Sequence, residues 1–224
     1  MSIYMTEAEQ LENIKKVWDK IQRPVTIVLT VLLCIFSAYR YWTYHTDKVN
    51  HQASLTYEHM MVAFSNQDHQ ALRAYANTLT QTYGGTIYAD VARLTLAKYF
   101  VEHQQFSKAR AQLDYVVAHG QMPAMRQVAT LRMARILFAE KSYQEALDAL
   151  KTISSSTYLP LVKELKGDIL AAMGQYQGAL SFYKEAAHEG QQRGIGNPFL
   201  DMKTNELVLQ EQSSKADHSV SRVG

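Results

Sequence analysis

The sequence predicts an all-α protein in which a single transmembrane helix is followed by a stack of about three to four helical pairs. Residues 24–39 form an apolar run without a charged side chain, and one helical pattern recurs three times further along the chain. Only four prolines and ten glycines occur in 224 residues, too few for the many turns of an all-β chain. These observations favour helices throughout.

The overall composition excludes several functional classes. Twenty-three Lys and Arg residues against twenty-one Asp and Glu residues leave a formal net charge of +2, which excludes a strongly basic nucleic-acid-binding protein. The apolar fraction of 47% and the charged fraction of 20% are typical of a folded chain. Cys34 is the only cysteine, so the chain can form neither an internal disulfide nor a cysteine-rich zinc site.

The apolar run predicts a membrane-spanning segment at residues 24–44. These twenty-one residues would form a helix of roughly 31 Å, which matches a hydrocarbon core of about 30 Å. Arg40 is then expected to extend its side chain toward the headgroups. Aromatic side chains typical of the membrane interface surround it: Tyr39, Tyr41, Trp42 and Tyr44. A buried core helix of a soluble domain is the alternative, but residues 25–35 have no polar stripe to face water.

The basic residues around the span predict its orientation. After the uncharged run that ends at residue 39, only Arg40 and Lys48 follow within twenty residues. Four basic residues precede it: Lys15, Lys16, Lys20 and Arg23. The positive-inside rule therefore places the N-terminus in the cytoplasm and residues 45–224 across the membrane. A cleaved signal peptide is the rival interpretation, but its first region would be long and mixed in charge. We therefore expect an uncleaved signal anchor.

Three small residues mark the copies of an internal repeat. Ala109, Ala146 and Ala179 are spaced 37 and 33 residues apart, and an aromatic residue stands three positions before each one. Apolar residues follow at the fourth and seventh positions after each alanine, which is one face of a helix. They are Leu113, Val116, Leu150, Ile153, Tyr183 and Ala186. Upstream of each copy lies a second apolar–small pattern, at residues 96–97, 133–134 and, more weakly, 166–167.

Small residues that face one another allow the two helices of a pair to pack closely. At a spacing near 34 residues, this pattern is typical of the tetratricopeptide repeat (TPR) and predicts a TPR-like α-solenoid. A fourth, degenerate pair is expected at residues 51–64 and 70–83, with Ala71 in the small position. The alternative is a closed antiparallel bundle, which would leave no concave face for a partner.

The predicted organisation has four parts. Residues 1–23 form a cytoplasmic amphipathic segment, 24–44 the transmembrane signal anchor, 45–208 the TPR-like domain, and 209–224 a polar, disordered tail. Within residues 7–21 the apolar side chains are spaced by three or four, as in a helix that lies on a membrane surface or against a partner. These side chains are Ala8, Leu11, Ile14, Val17, Trp18 and Ile21.

Three further motifs, in this order on a membrane-anchored chain, resemble one family. They are TYGGTIYADVA at 82–92, LKGDIL at 165–170 and NPFLDMK at 197–203, the last being an Asn cap and a Pro that begin a short final helix. The chain resembles the ancillary subunits of the SecYEG translocon, the YfgM family of bacterial inner-membrane proteins. The resemblance implies a periplasmic repeat domain that associates with the SecYEG translocon and with the periplasmic chaperone PpiD, assisting translocated proteins. Residues 209–224 do not match the family.

No enzyme, cofactor or metal site is expected. The eight histidines form no ligand cluster at helical spacing. Residues 181–184 fit the S-x-x-K pattern, but its companion motifs are missing and the segment belongs to a repeat helix. Glu164 and Asp168 lie four residues apart, with Lys163 and Lys166 nearby, so we interpret them as a solvated helix face rather than as an acid–base pair.

The repeat register also predicts where a partner would bind. The first helix of each pair should line the inner curve of the solenoid, which suits an extended or amphipathic peptide. The candidates are Leu94, Lys98, Val101, Leu131, Arg135 and Phe138, followed in the last pair by Glu164, Asp168 and Ala171. The alternative is that Leu94, Leu131 and Phe138 are core residues and that Lys98 and Arg135 are solvated charges.

Three functions compete on this evidence. The first is a translocon-associated interaction protein that assists chaperones, and the second is a periplasmic scaffold for envelope assembly or stress signalling that is independent of the translocon. The third is an enzyme of peptidoglycan or lipid metabolism, which would require a convergent polar pocket that the sequence does not offer. Neither nucleic acid nor a small-molecule substrate is expected, and the membrane lipid around residues 24–44 is the remaining contact.

Overall fold

The computed structural model describes the backbone of residues 7–194 and 197–220, and most side chains from residue 24 to residue 209. Within these residues the chain is helical and has no β-strand, which confirms the all-α prediction. The α-helices are α1 (Glu7–Ser65), α2 (His69–Thr82), α3 (Ile87–Glu102), α4 (Phe106–His119), α5 (Pro123–Ala139), α6 (Tyr143–Lys151), α7 (Leu159–Ala172), α8 (Tyr176–Gln192) and α9 (Pro198–Val220). A 3-10 turn at Ser156–Tyr158 precedes α7. The chain divides into two compact units, Met1–Gln52 and Ala53–Gly224.

The first unit contains the apolar part of α1, the one described helix that is long and apolar enough to cross a membrane. None of its apolar window is buried within the protein, so a core helix of a soluble domain does not describe it. Two of its hydroxyl groups are satisfied within the helix, because Thr26 donates to the Gln22 carbonyl at 2.7 Å and Thr30 to the Thr26 carbonyl at 2.8 Å. A helix in lipid must satisfy its polar groups internally in this way.

The predicted amphipathic segment before the span is helical from Glu7 onward, as the first part of α1. Trp18 is exposed. The other residues of the predicted apolar face are outside the set of described side chains, as are Lys15, Lys16 and Lys20. The helix also continues past the predicted end of the span at residue 44, without a break, to Ser65.

The second unit is built from helix pairs whose two helices are joined by the same turn. After the first helix of each pair, one residue has a positive φ, and the backbone amides of this residue and the next bond back to the helix in a Schellman motif. In the second pair Gln104 has a φ of 57°, its amide bonds to the Val101 carbonyl at 3.0 Å, and the Gln105 amide bonds to the Phe100 carbonyl at 2.8 Å. The equivalent positive-φ residues are Gln67, Lys141 and Gly174.

The recurrence of this turn after α1, α3, α5 and α7 identifies four helix pairs among the described residues. The fourth, degenerate pair predicted from the sequence is therefore present. Its first helix is the end of α1, from Ala53 onward, and its second helix is α2.

The small residues of the repeat lie where the helices of a pair approach one another. Ala109, Ala146 and Ala179 are fully buried, as predicted. In the last pair the small residue is Gly167 of α7, which lies directly against the ring of Tyr183 in α8. The burial of these positions follows from the close approach of two helix backbones, which a larger side chain would prevent.

The register of the first pair differs by one residue from the prediction. Asp68 caps α2, accepting hydrogen bonds from the amides of Gln70 and Ala71, so the helix begins at His69. The fourth residue of α2, equivalent to Ala109 in α4, is then the buried Leu72, whereas Ala71 is only half-buried. The predicted small position at Ala71 is wrong because the Asp68 cap, rather than the alanine, sets the start of the helix.

The pairs stack side by side and do not close into a bundle. Among the described helices, contacts join neighbours in the sequence, and in addition α3 contacts α5 and α5 contacts α7. These additional contacts place the first helices of successive pairs next to each other, as in a solenoid. The TPR-like prediction is confirmed. A closed bundle would instead require contacts between its first and last helices, and the contacts of the described helices have the solenoid pattern.

A buried carboxylate fixes the loop between the second and third pairs. Asp90 in the first turn of α3 is 1% exposed and accepts a hydrogen bond of 2.7 Å from the backbone amide of Gln121. Burial raises the pKa of Asp90, while the Gln121 amide, Arg93 and Arg126 act in the opposite direction. Arg126 also donates to the Gly120 carbonyl at 2.6 Å. The α4–α5 connection is therefore tied to the helix that begins the preceding pair.

The last helix, α9, covers the end of the stack. Asn197 caps it by accepting the Phe199 amide at 3.1 Å, as predicted. The helix is not short, however, because its backbone is helical over 23 residues to Val220, including the part of 209–224 for which the sequence predicts a disordered tail. Leu200 and Leu207 of α9 are buried against the last pair.

The carboxylates of Glu164 and Asp168 are not a solvated face. Lys203 of α9 lies 2.8 Å from an oxygen of each, and Tyr183 donates to Asp168 at 2.7 Å. The earlier interpretation is wrong because the partner of this carboxylate pair comes from a residue 39 positions after Glu164, which helical spacing does not reveal.

Candidate polypeptide-binding groove

A groove of about 360 Å³ lies between the first helices of the second and third pairs. Helix α3 contributes Ala97, Lys98, Val101 and Glu102, α4 contributes Phe106 and Leu113, and α5 contributes Arg132, Arg135, Ile136 and Ala139. The volume falls at the lower end of the usual range for ligand pockets, about 300–1,000 Å³. It is suited to a few side chains of a polypeptide.

The floor of the groove is apolar. Ala97 is 2% exposed, Leu113 1% and Ile136 4%, and all three belong to the main hydrophobic core. Phe106 occupies the aromatic position that begins α4 and packs against the same core. The groove floor is thus part of the packed repeat, and its shape follows from the small residue Ala97, which leaves space between α3 and α5.

The charged side chains of the groove differ in whether an opposite charge lies near them. Lys98 lies 3.8 Å from Glu102 one turn later in the same helix, and both side chains are about half exposed. Arg132 donates to the Leu94 carbonyl at 3.0 Å, an interaction that joins α5 to α3. Burial lowers the pKa of Arg132, and the neighbouring positive charge of Arg135 lowers it further. Arg135 is exposed and forms no ion pair with a described residue.

Of the six predicted partner-binding residues, three line the groove, two belong to the core and one, Phe138, is half-buried beside it. Lys98, Val101 and Arg135 line the groove. Leu94 and Leu131 are each 5% exposed and belong to the core, as the alternative interpretation held.

Phe138 is half-buried and packs against the Tyr143 ring, with 6.0 Å between the ring centroids. In the last pair, Glu164 and Asp168 bind Lys203. Ala171 packs at the edge of the cluster that buries Leu200.

Seven of the ten groove residues were not predicted as partner-binding, among them Arg132 and Ile136 of α5. Both follow from the register of α5, since Arg132 lies three residues before Arg135 and four residues before Ile136, one helical turn away from each. The prediction took one residue per turn and so described a line, whereas the groove is formed by the two faces that α3 and α5 turn toward each other. A wider stripe on each helix would have included both residues.

In the described part of the chain, the groove is not accompanied by a cluster of metal-binding side chains. Among the described residues, no three His, Cys, Asp or Glu side chains are placed to hold a metal ion. Ser181, from the S-x-x-K segment, is exposed on α8 and donates to Glu185 at 3.4 Å. The groove therefore offers an apolar surface together with four charged side chains, those of Lys98, Glu102, Arg132 and Arg135.

The stacked pairs, their repeated turns and the groove along the first helices define a helical-repeat protein of the TPR type. A family model described as "Tetratricopeptide repeat-like domain" matches residues 15–208, and the chain belongs to this family. That match extends from the segment before the apolar run to the part of α9 that packs on the final pair.

The similarity to known relatives extends over almost the whole chain. The chain is 29% identical to the "Ancillary SecYEG translocon subunit" of Escherichia coli (strain K12), covering 93% of this chain and 100% of that protein. It is 26% identical to the protein of the same name in Neisseria gonorrhoeae, covering 92% and 100%, and 29% identical to that of Haemophilus influenzae, covering 91% and 99%. The resemblance noted in the sequence is confirmed.

Among solved structures, the chain is similar to a protein with nearly identical TPR-like repeats from Podosopora anserina. The two are 16% identical, with a TM-score of 0.46, covering 77% of this chain and 96% of that one.

Proposed function

We propose that the protein is a non-enzymatic, membrane-anchored interaction protein that associates with the SecYEG translocon and assists proteins leaving it. The observation that carries this proposal is the length of the similarity to the ancillary translocon subunits, which covers 93% of this chain and all of the E. coli relative. A similarity limited to the repeats would support only a TPR scaffold. Here the matched region includes the apolar part of α1 as well.

We place residues 24–44 in the bacterial inner membrane as an uncleaved anchor, with the N-terminus in the cytoplasm and the repeats in the periplasm. The basic residues before the span support this orientation. The side chains of Val31 and Leu32 are about half exposed or more on α1, so they are available to lipid or to another transmembrane helix. A span of this kind could contact the channel directly, by close packing of helices.

The groove between α3 and α5 is the surface that we assign to polypeptide binding, with Lys98, Val101 and Arg135 among its residues. The proposed ligand is a periplasmic chaperone such as PpiD or a segment of a translocated protein. This assignment follows from an open, largely apolar groove with cationic side chains on a scaffold without a catalytic arrangement in its described part. An envelope scaffold independent of the translocon is the alternative function, and the same groove would serve it.

Photocrosslinking in the membrane distinguishes the two functions. A photoreactive amino acid at Val31, in the apolar part of α1, should trap a channel subunit in cells if the protein associates with SecYEG. The same residue at Ala111, which is exposed on α4, serves as a control for random capture. Native purification from mild detergent, followed by mass spectrometry, should recover SecYEG and PpiD. Recovery of unrelated envelope proteins alone, at both positions, would reject the translocon function in favour of the scaffold.

A further inference from the structure

The two arginines of the groove are cations without an anionic partner. Of the four charged side chains that line it, Lys98 and Glu102 lie close enough to neutralise each other, 3.8 Å apart. Arg132 bonds to a neutral carbonyl, that of Leu94, and Arg135 has no ion pair with a described residue. The groove therefore has an excess of positive charge, located on the α5 side.

The position of these arginines makes that excess costly in the free protein. Arg132 and Arg135 are three residues apart on α5, so their side chains leave the same face of the helix. Their mutual repulsion and the burial of Arg132 both oppose its positive charge. An anion placed between them would relieve the repulsion and would accept charge-assisted hydrogen bonds from two planar guanidinium groups, an arrangement suited to a carboxylate.

An apolar surface lies beside these cations. Ala97, Leu113 and Ile136 form the floor, with Phe106 at its side. A free small anion would make no use of this surface. A polypeptide that carries an acidic side chain next to an aliphatic one would use both parts, since successive residues of an extended chain are close enough to reach them together.

From this charge and shape complementarity we infer that the groove binds an extended segment containing an Asp or Glu side chain flanked by an aliphatic residue. The carboxylate lies between Arg132 and Arg135, and the aliphatic side chain lies against Phe106 and Ile136. This inference rests on the proposed polypeptide-binding role of the groove and specifies the chemistry of its occupant. It does not depend on whether that occupant comes from the translocon.

Binding of short labelled peptides to the full-length protein in nanodiscs tests the inference. The probe is the fluorescein-labelled peptide SGSLELSGS, acetylated and amidated at its ends, followed by fluorescence anisotropy. SGSLQLSGS and SGSLKLSGS are the neutral and basic controls. We expect the Glu peptide to bind about tenfold more tightly than the Gln peptide, which corresponds to about 1.4 kcal/mol, and the preference should decrease with added salt. Equal affinities for the three peptides would overturn the inference.

Variants of the protein locate the effect. Arg135→Gln should remove the preference for Glu over Gln, and Arg135→Glu should reverse it in favour of the Lys peptide. Because Arg135 is exposed and its charge repels that of Arg132, both variants should melt at or slightly above the wild-type temperature. Arg193→Gln, an exposed arginine after α8, is the matched control and should bind as the wild type does. A preference that persists in Arg135→Gln would contradict the assignment.

One further peptide separates the two sources of a carboxylate. SGSLQLSGS with a free C-terminus carries a terminal carboxylate but no acidic side chain. If it binds as tightly as the Glu peptide, the inference that the groove binds an acidic side chain is wrong. The peptide measurements need no translocon, so a failure to copurify SecYEG would reject the proposed function without altering their outcome.

Discussion

Gly167 of α7 and Tyr183 of α8 are packed so closely that no side chain fits between them. A Cβ atom at position 167 would lie 2.4 Å from Cε1 of the tyrosine ring and 2.5 Å from Cδ1. The hydroxyl of Tyr183 donates to Asp168 at 2.7 Å, so the ring is held at its outer end as well. The helix pair that supports α9 therefore depends on a glycine within a helix, where glycine is otherwise unfavourable.

Replacement of this glycine should destabilise the last pair. Alanine is favoured over glycine in a helix by about 1 kcal/mol, but in Gly167→Ala the new methyl group overlaps a fixed ring. We expect a net loss of about 1–3 kcal/mol in the free energy of unfolding, measured by urea denaturation. Gly178→Ala on α8 is the control, because its Cβ would meet only the end of the Leu170 side chain at 3.2 Å. A stabilised Gly167→Ala variant would contradict the observed packing.

Replacing a buried repeat alanine by a larger residue should destabilise the protein, as replacing Gly167 does. Ala109 is fully buried where α4 meets its neighbours, whereas Ala111, two residues later, is exposed. Ala109→Trp should lower the free energy of unfolding by about 1–3 kcal/mol or more, and Ala146→Trp should act similarly in the third pair. Ala111→Trp introduces the same side chain on the outside of α4 and should leave the melting temperature nearly unchanged. Wild-type melting of Ala109→Trp would be inconsistent with the close pairing of α3 and α4.

Lys203 should be required for the docking of α9. Hydrogen bonds to Asp168 and Glu164 raise the pKa of Lys203, although burial acts in the opposite direction and is the largest influence. Lys203→Met leaves two partly buried carboxylates together without a cation, so we expect a loss of about 1–3 kcal/mol. Hydrogen exchange should become faster in α9 first. Lys184→Met, an exposed lysine on α8, is the control and should not change exchange there.

The raised pKa of Lys203 also predicts the pH dependence of this contact. A cation whose pKa is higher in the folded state stabilises that state fully below its ordinary value of 10.5. The stabilisation is lost as the pH rises through the folded-state pKa. The difference in stability between the wild type and Lys203→Met should therefore be constant from neutral to mildly alkaline pH and should decrease above about pH 10.5. A difference that disappears near neutral pH would point to another group.

Asp90 should give a pH dependence of the same sign in the acidic range. Burial raises the pKa of this carboxyl above its ordinary value of 3.8, so the folded protein retains a proton that the unfolded chain has released. Its contribution to stability therefore decreases as the pH rises from about 4 through the raised value. The difference in melting temperature between the wild type and Asp90→Asn should fall over this window and become constant above it. A difference that grows with pH would mean that the Gln121 hydrogen bond outweighs burial.

The sequence allowed the repeated helix pairs to be predicted because their evidence is local. The burial of Ala109, Ala146 and Ala179 follows from residue size and helical spacing alone. The start of α2 could not be placed in the same way, since Ala71 and Leu72 both fit an apolar face and the choice depends on the hydrogen bonds of Asp68.

The candidate site was predicted in part for a related reason. Lys98 and Arg135 lie 37 residues apart in equivalent positions, so the repeat register brings them together. Whether Leu94 and Leu131 face the groove or the core depends on the rotation of α3 and α5, which spacing determines only to within about a third of a turn. Contacts such as that of Lys203 with Glu164 join distant segments, and no local pattern indicates them.

The four turns within the pairs have a consequence for engineering. Three of them hold Gln67, Gln104 and Lys141 in the left-handed backbone region, and only the last has glycine, Gly174. A left-handed conformation costs a side-chain-bearing residue roughly 1–2 kcal/mol relative to the right-handed one, a penalty that glycine largely avoids. Glycine at any of these three positions should therefore raise the melting temperature of the repeat domain. None of the three residues lines the groove, so its surface would stay unchanged.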